Sequence, residues 1–397
     1  MKYFLSVIIT VFSFLNILAQ NILKGKVTDM ATGKGLVAVS VYITNSTTGT
    51  TTDAEGNFNL SGFTTKQFEV VATCIGYESF TSSISASNPN NFIEIKLKQR
   101  SAELENVIVQ SYEKDGWNKW GKAIMDNLIG QGESAKDCVI KNKEVIRFVY
   151  NKNQNLLTAY AFEPLIIENK YLGYNLVYDM QEFICDYKHN KIFFMGSPFF
   201  KNMEGGKRKK EIWNNHRQYA YEGSMMHFMR SLYRNTLSQE GFSMNVLERY
   251  VNKEKQRIKK IYKEMYKQNS NLVFSDSSVY YSRILKQSDS MDYVHPQVLS
   301  TDSVTYAHDS TTAVLIFKGL LQISYAKKKK VPTKDLFNPS TISVFPKSNI
   351  RFINQPEVYI LSDGSYYEPG NIMVEQYWGF SEKLSNFLPV NFKPLYK

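Results

Sequence analysis

Behind its first twenty residues the chain settles into short runs that alternate apolar and polar positions. Leu23, Gly25 and Val27 share one parity, and Val39, Val41 and Ile43 do the same after a Gly-containing turn at 29–35. Side chains two apart lie on one face of a strand, so each run predicts a half-buried strand. The turn Asp53-Ala54-Glu55-Gly56 follows, with a carboxylate able to cap its own turn and a glycine free to take positive φ. Phe58 and Leu60 resume the alternation, 68–74 and 77–84 pair across Gly76, and Ile93, Ile95 and Leu97 come next; 104–109 closes the series. About seven short strands with turns at this spacing predict a β-sandwich over residues 20–110.

The pattern changes after residue 110. Trp117, Trp120, Ile124 and Leu128 recur at helical spacing and predict a helix over 116–129 capped by Asp115. Strands are expected at 145–150, 157–162, 174–183 and 191–195, an antiparallel meander. Two helices follow: 221–238, with Met225, Phe228, Met229 and Leu232 on one face and Gly241 beyond its end, and 246–267, with Ile258, Ile261 and Met265. Strands return at 313–326, 342–345 and 358–361, Asp363-Gly364 signals a hairpin, 366–377 is its return path, and 381–388 reads as a short amphipathic helix before Pro389. The expected fold class is mainly β: an N-terminal sandwich joined to a larger α+β module over 111–397, with antiparallel sheet and two or three helices.

The start of the chain places it in a compartment. Lys2 is the only charge among the first twenty residues, an apolar run spans 4–18, and Ala19 ends it. A basic start, a short apolar core and a small residue form a secretory signal peptide over 1–19. The run is shorter than the roughly 20 residues that span a bilayer. Later segments are less apolar still, so the mature chain is expected in the periplasm or at the outer membrane. The whole chain carries +11, from 48 basic and 37 acidic residues. Export argues against nucleic acid; the charge reads first as a solvated basic face, and the partners it would fit are an envelope protein or an anionic envelope surface, with peripheral membrane association as the form of contact. The charge is concentrated in Lys207–Lys210, read as a loop, in 253–267 on the second central helix, and in Lys327–Lys330, another loop. Three cysteines leave room for one disulfide and a spare thiol; Cys74 reads as a buried apolar residue, and Cys138 with Cys185 is the candidate pair.

Thr52, Asp53, Gly56 and Phe58, with Gly25-Lys26-Val27-Thr28-Asp29 before them and Gly76-Tyr77 after, resemble the carboxypeptidase-regulatory-like domain. The resemblance implies a transthyretin-like sandwich of the kind found at the front of envelope proteins in Bacteroidota-type bacteria. It implies an accessory role and no chemistry, with Asp53 and Gly56 holding a turn and Phe58 and Tyr77 filling the core. Glu222-Gly223-Ser224 through Gly241-Phe242, and Tyr377-Trp378-Gly379-Phe380 with Leu388-Pro389, resemble an uncharacterised module that follows this domain in exported proteins of the same bacteria.

A zinc carboxypeptidase needs His and Glu ligands with an open position for water, and none of His189, His216, His227, His295 and His308 stands in HxxE or HExxH. No G-x-S-x-G, P-loop or dinucleotide fingerprint occurs. Ser224 and His227 form a dyad on paper, yet a serine at a helix start reads first as a cap. His227 with Arg230 is the one helix face that invites inspection. The tryptophans Trp117 and Trp120 suggest a sugar platform but read first as a core stripe. No residue is therefore nominated as catalytic, cofactor-binding or metal-binding. The expected function is that of an exported, non-enzymatic envelope protein for binding or assembly. The alternatives are a periplasmic hydrolase or glycan-binding enzyme, or a small outer-membrane β-barrel.

Overall fold

The computed structural model describes residues 21–63, 67–85, 92–100, 112–267, 276–327 and 346–395. The signal peptide, the expected strands at 104–109 and 342–345, and Lys328–Lys330 lie outside the described residues. The fold is mainly β, and packing divides it into two compact units. One comprises the chain up to Tyr219 together with the residues from Lys383 on; the other is Ala220–Glu382. The packing boundary thus falls at Ala220, whereas sequence placed a boundary at residue 110.

The first unit opens with the sandwich: β1 (Asn21–Asp29), β2 (Ser40–Ile43), β3 (Gly49–Thr51), β4 (Asn57–Phe63), β5 (Gln67–Thr73), β6 (Phe80–Ser85) and β7 (Phe92–Leu97). One sheet has the order β4-β1-β7 and the other β3-β2-β5-β6. Only the β1–β7 pairing is parallel among these. Leu23, Val27, Val39, Val41, Phe58, Leu60, Val70 and Ile95 meet between the sheets and are all nearly inaccessible. The expected turn is present: the Asp53 carboxylate accepts from the N–H groups of Glu55 (3.0 Å) and Asn57 (2.7 Å), and Gly56 has φ +82°. Tyr77 is half-buried, and its hydroxyl donates to Asp29 (2.9 Å). The same Asp29 carboxylate also accepts from the N–H groups of Ala31 and Thr32.

A six-stranded sheet follows in the same unit: β8 (Cys138–Ile140), β9 (Ile146–Asn151), β10 (Leu156–Ala161), β11 (Leu165–Asn169), β12 (Tyr174–Asp186) and β13 (Lys191–Asn202). The long β12 pairs along one side with β11 and then β10, and along the other with β13. Helix α1 (Gly116–Ile124) passes into a π-helical turn, Met125–Ile129, and buries Ile124, Leu128 and Ile129. Asp115 precedes it with φ 56° but makes no side-chain cap; its carboxylate accepts instead from Asn118. After the short α2 (Glu133–Lys136) and the sheet comes α3 (Lys207–Tyr221). The first basic cluster is therefore helical and not a loop. Trp213 anchors that helix, fully buried, its ring N–H donating to the Lys170 carbonyl (2.9 Å).

Sandwich and sheet meet through one seam. The Asn45 N–H donates to the Pro198 carbonyl (2.7 Å), the Phe200 N–H to the Ser46 carbonyl (3.0 Å), and Tyr42 stacks on Phe199 at 4.9 Å. The end of the chain closes over the same unit. The N–H groups of Leu384 and Ser385 donate to the carbonyls of Leu128 and Ile129, and the Val390 N–H to that of Asn45 (2.6 Å). Those long-range bonds consume the groups that the expected 381–388 helix would have used internally, and helix ends at Ser381.

The three cysteines are free thiols. Cys138 lies opposite Asn169, which lies opposite Tyr174. Cys185 is eleven residues further along β12, roughly 36 Å away at the rise of a strand, so the candidate disulfide does not form. Burial pushes the thiols of Cys138 and Cys185 up to about 12 and about 11, which keeps both protonated. Cys74 sits just beyond β5, partly buried against the sandwich core.

The second unit starts with α4 (Met225–Tyr233) and α5 (Leu237–Glu240), continues with β14 (Phe242–Val251), α6 (Lys253–Lys267), α7 (Asp276–Leu285), β15 (Ser290–Val298), β16 (Thr305–Ala307), β17 (Thr312–Ile316), β18 (Leu320–Tyr325), β19 (Lys347–Phe352), β20 (Glu357–Leu361), β21 (Tyr366–Tyr367) and β22 (Ile372–Gln376), and ends in α8 (Tyr377–Ser381). The strands form the sheets β15-β14-β18-β19-β22 and β16-β17-β20-β21. Phe228, Met229, Met244, Leu321, Ile350, Val358, Ile360 and Trp378 belong to one core in this unit. The expected helix 221–238 is broken twice. Gly223 takes φ +74° and Ser224 starts a new helix, and Asn235 with φ 55° ends it. The expected helix 246–267 begins only at Lys253. Residues 246–251 are strand, paired with β15 and in part β18, and the Asn252 side chain accepts from the Lys255 N–H (2.9 Å) at the helix start. The hairpin at Asp363-Gly364 joins β20 to β21 as expected. A small barrel needs at least eight strands in one closed sheet; among the described residues the largest sheet has six.

Gly56 provides a direct test of the sandwich turn. A Cβ there would run into the Val27 carbonyl and approach the backbone of Gly35 and Leu36 at 2.9 Å, in a left-handed conformation. Gly33 has φ +70° but open space around it. Gly56→Ala is expected to cost about 2–4 kcal/mol in chemical unfolding of the full chain, and Gly33→Ala only about 1–2 kcal/mol.

Candidate functional site

The helix face singled out from sequence is assembled, and packing engages most of its polar groups. Ser224 has an extended backbone, and its hydroxyl oxygen accepts from the His227 N–H at 3.1 Å, the geometry of a helix N-cap. The ring of His227 is 4 % exposed. Its Nδ1 accepts from the Gly223 N–H (3.1 Å), which leaves Nε2 as the protonated nitrogen, 3.3 Å from the Glu240 carboxylate. Tyr221, Phe242 and Tyr325 pack around the imidazole with ring centres 4.6, 4.8 and 5.5 Å away. The Gly223 carbonyl accepts from the Trp378 ring N–H (2.8 Å). Ser224 and His227 are therefore brought together as a cap, with the imidazole aimed at the chain and not at the hydroxyl.

Arg230 stands one turn further along α4, 4 % exposed. Its Nε donates to the Asp363 carbonyl (2.8 Å), and its guanidinium lies 5.3 Å from the centre of the Tyr221 ring. A Cβ on Gly364, which has φ +85°, would come within 2.9 Å of both the Arg230 side chain and the Met226 carbonyl. Arg230 thus fastens the β20–β21 turn onto α4. The tryptophans are likewise packed. Trp120 lies 4.8 Å from Tyr150 and 6.2 Å from Tyr187, centre to centre, and Trp117 covers Gly121 beneath Lys143.

The second unit presents a different kind of surface where β14 outruns β18. Beyond Leu247, β14 pairs only with β15, as Glu248↔Tyr293, Arg249↔Asp292, Tyr250↔Met291 and Val251↔Ser290. Helices α6 and α7 are inserted between these two strands, so ribbon and helices form an arm. Arg249 roots it: its guanidinium donates two hydrogen bonds to Asp292 (2.7 and 2.8 Å) and two to Glu375 on β22 (3.0 and 2.8 Å). Within the arm Lys255 and Lys259 both hold Asp289 (3.0 and 2.7 Å), Arg257 holds Glu254 (2.6 Å), and Tyr280 donates to Glu254 (3.0 Å).

Two sets of residues are left outward. Lys253, Lys260 and Lys263 follow one another at helical spacing on the side of α6 opposite the fully buried Ile258, all exposed and, among the described residues, without an ion pair. Val279, Met291, Val251, Tyr250 and Tyr293 are 71, 60, 53, 52 and 52 % exposed. Sequence reasoning placed the lysines correctly on a helix but missed the ribbon and α7. The usable signal was Asn252, a capping residue standing between a strand-like run and a helix-like run.

Among the described residues no helix is long and apolar enough to cross a membrane, and no group of three His, Cys, Asp or Glu side chains is arranged to hold a metal ion.

Residues 23–109 match the family of CarboxypepD_reg-like domains, so the front of this chain is a sandwich of that class. No curated protein matches the chain. Among solved structures, a protein of unknown function from Bacteroides fragilis aligns over 90 % of this chain and 95 % of its own, at 9 % identity and a TM-score of 0.16. At that score the alignment bears on neither fold nor function.

Burial holds the His227 imidazole below its ordinary range, against the opposing pull of Glu240 and Glu222 and with that of Lys327. The unfolded imidazole titrates near about 6.5. Below that pH the unfolded chain binds the extra proton first, so this contribution to stability is complete above about pH 6.5 and is lost as pH falls toward the folded value. The urea midpoint of the full chain is expected to drop between pH 7 and 5, and His227→Gln to flatten that slope.

Proposed function

We propose that this protein is an exported envelope component that acts by binding or assembly and not by turnover. The observation that carries the reading is the arm. It is rooted by a doubly bidentate arginine, it bears exposed apolar side chains along a two-stranded ribbon, and the lysines Lys253, Lys260 and Lys263 on its helix α6 have no ion pair among the described residues. Large apolar groups gathered outward on a braced element mark a contact surface more than a reaction centre. Supporting it, Ser224, His227 and Arg230, the side chains most suggestive of chemistry, serve as a cap, a packed ring and a turn clamp. The sandwich supports the envelope setting, since it matches an accessory domain family at residues 23–109.

Fractionation of cells expressing the tagged chain tests this reading. The protein is expected in the envelope fraction, released by high salt or carbonate without detergent. Retention in the cytosol, or release by detergent alone, contradicts it. Purified protein is expected to turn over no envelope peptide, ester or glycan. Turnover abolished by His227→Ala or Glu240→Ala would replace binding with catalysis.

A further inference from the structure

We infer that the α6–α7 arm is a docking element for an anionic phospholipid surface, an inference that rests on the binding reading above and names its partner. The arm's charges fall into two groups with different fates. Lys255 and Lys259 are held by Asp289, just beyond α7, which braces α6 against the rest of the arm, and Arg257 is held by Glu254 within α6. Lys253, Lys260 and Lys263 are, among the described residues, without an ion pair, in one line along the outward side of the helix. Ten residues at 1.5 Å per residue put the first and last of them about 15 Å apart, a stripe along the convex side of a helix.

That arrangement selects among anionic partners. Recognition of a single carboxylate or phosphate favours the planar fork of arginine, whereas lysine is a flexible, strongly hydrated point charge. A line of unpaired lysines therefore suits a surface of many mobile anions. Other side chains of the arm suit the same partner. Tyr250, Met291 and Tyr293 share one face of the ribbon, since Tyr250 stands opposite Met291 and Tyr293 is two residues further on, and each is more than half exposed, as is Val279 on α7; an aliphatic group with tyrosines that carry an apolar ring and a polar tip is the combination that settles at the boundary between headgroups and acyl chains. A second copy of this chain is a poor occupant, because it would bring the same lysines toward themselves in a protein of net charge +11.

The test is co-sedimentation of the full mature chain with vesicles of phosphatidylcholine alone or containing a third phosphatidylglycerol. Binding is expected only to the anionic vesicles, weakening steeply with salt. Each lysine is worth roughly fivefold in affinity near such a surface, so Lys253→Glu, Lys260→Glu and Lys263→Glu together are expected to lower the partition coefficient at least about a hundredfold. These side chains are exposed and unpaired, and an unchanged circular dichroism spectrum confirms folding. An equal charge change on α3, Lys207→Glu, Arg208→Glu and Lys210→Glu, is expected to change binding less than about threefold. Met291→Ser, which changes no charge, is expected to weaken binding without altering its salt slope. The inference is overturned if the protein ignores anionic vesicles, if the α3 variant loses as much as the arm variant, or if the arm stripe binds soluble polyglutamate and not vesicles. Absence of vesicle binding together with salt-releasable envelope fractionation would leave the broader reading standing and remove only the lipid.

Discussion

The first unit depends on how Asn45 is held. Its φ of 56° is a left-handed conformation that asparagine tolerates better than most residues. In that conformation its two backbone groups serve two other parts of the chain: the N–H donates to Pro198 on β13, and the carbonyl accepts from Val390 near the C-terminus. One residue thereby joins sandwich, six-stranded sheet and terminal segment. Tyr42 and Phe199 stack beside it, and Val71 completes their buried cluster. The terminal segment is tied a second time where Ser134 donates to Asn386 (2.7 Å) and the fully buried Asn169 amide donates to the Ser385 carbonyl (2.9 Å). The sandwich is in this way built into the body of the unit and not tethered in front of it.

The second unit shows the same economy with polar side chains. Buried polar groups must find partners or cost stability, and here each buried polar side chain on α4 has one. Ser224 caps, Ser231 donates back to the His227 carbonyl, and Arg230 reaches Asp363. What looks from sequence like a constellation of nucleophile, base and cation is a device that fixes α4 against β14 and the β20–β21 turn. The outward-facing chemistry lies elsewhere, on the arm, where Arg249 and its two carboxylates hold the ribbon to the sheet and leave neighbouring lysines and apolar groups to solvent.

Some of this was legible in the chain and some was not, for identifiable reasons. The sandwich was legible because its strands alternate cleanly and its turns carry residues with one purpose each, as at Asp53-Ala54-Glu55-Gly56. The hairpin at Asp363-Gly364 was legible for the same reason. Residues 246–251 were read as helix because Val246 and Leu247 suit either period, and only pairing with β15 and β18 decides between them. Lys207–Lys210 were read as a loop because four basic residues make a poor helix start; Trp213, locked onto Lys170 one turn later, carries the helix regardless. The 381–388 stretch has the amphipathic pattern of a helix, yet its backbone is taken up by Leu128 and Ile129, more than 250 residues earlier, which no local pattern reveals. The Ser224–His227–Arg230 face was legible as a place to look and as a cap. That its ring nitrogens are engaged by Gly223 and Glu240 depends on a break at Gly223 and on α5, which sequence merged into one helix.

The central claim is that contact is made by the arm and by its lysine side in particular. Amide hydrogen exchange of the full chain, with and without vesicles containing phosphatidylglycerol, tests it most directly. The account predicts added protection confined to α6, α7 and the β14–β15 ribbon, with the sandwich, the seam at Asn45 and α4 unchanged. Protection centred on α3 or on the sandwich, or no change anywhere, would contradict it.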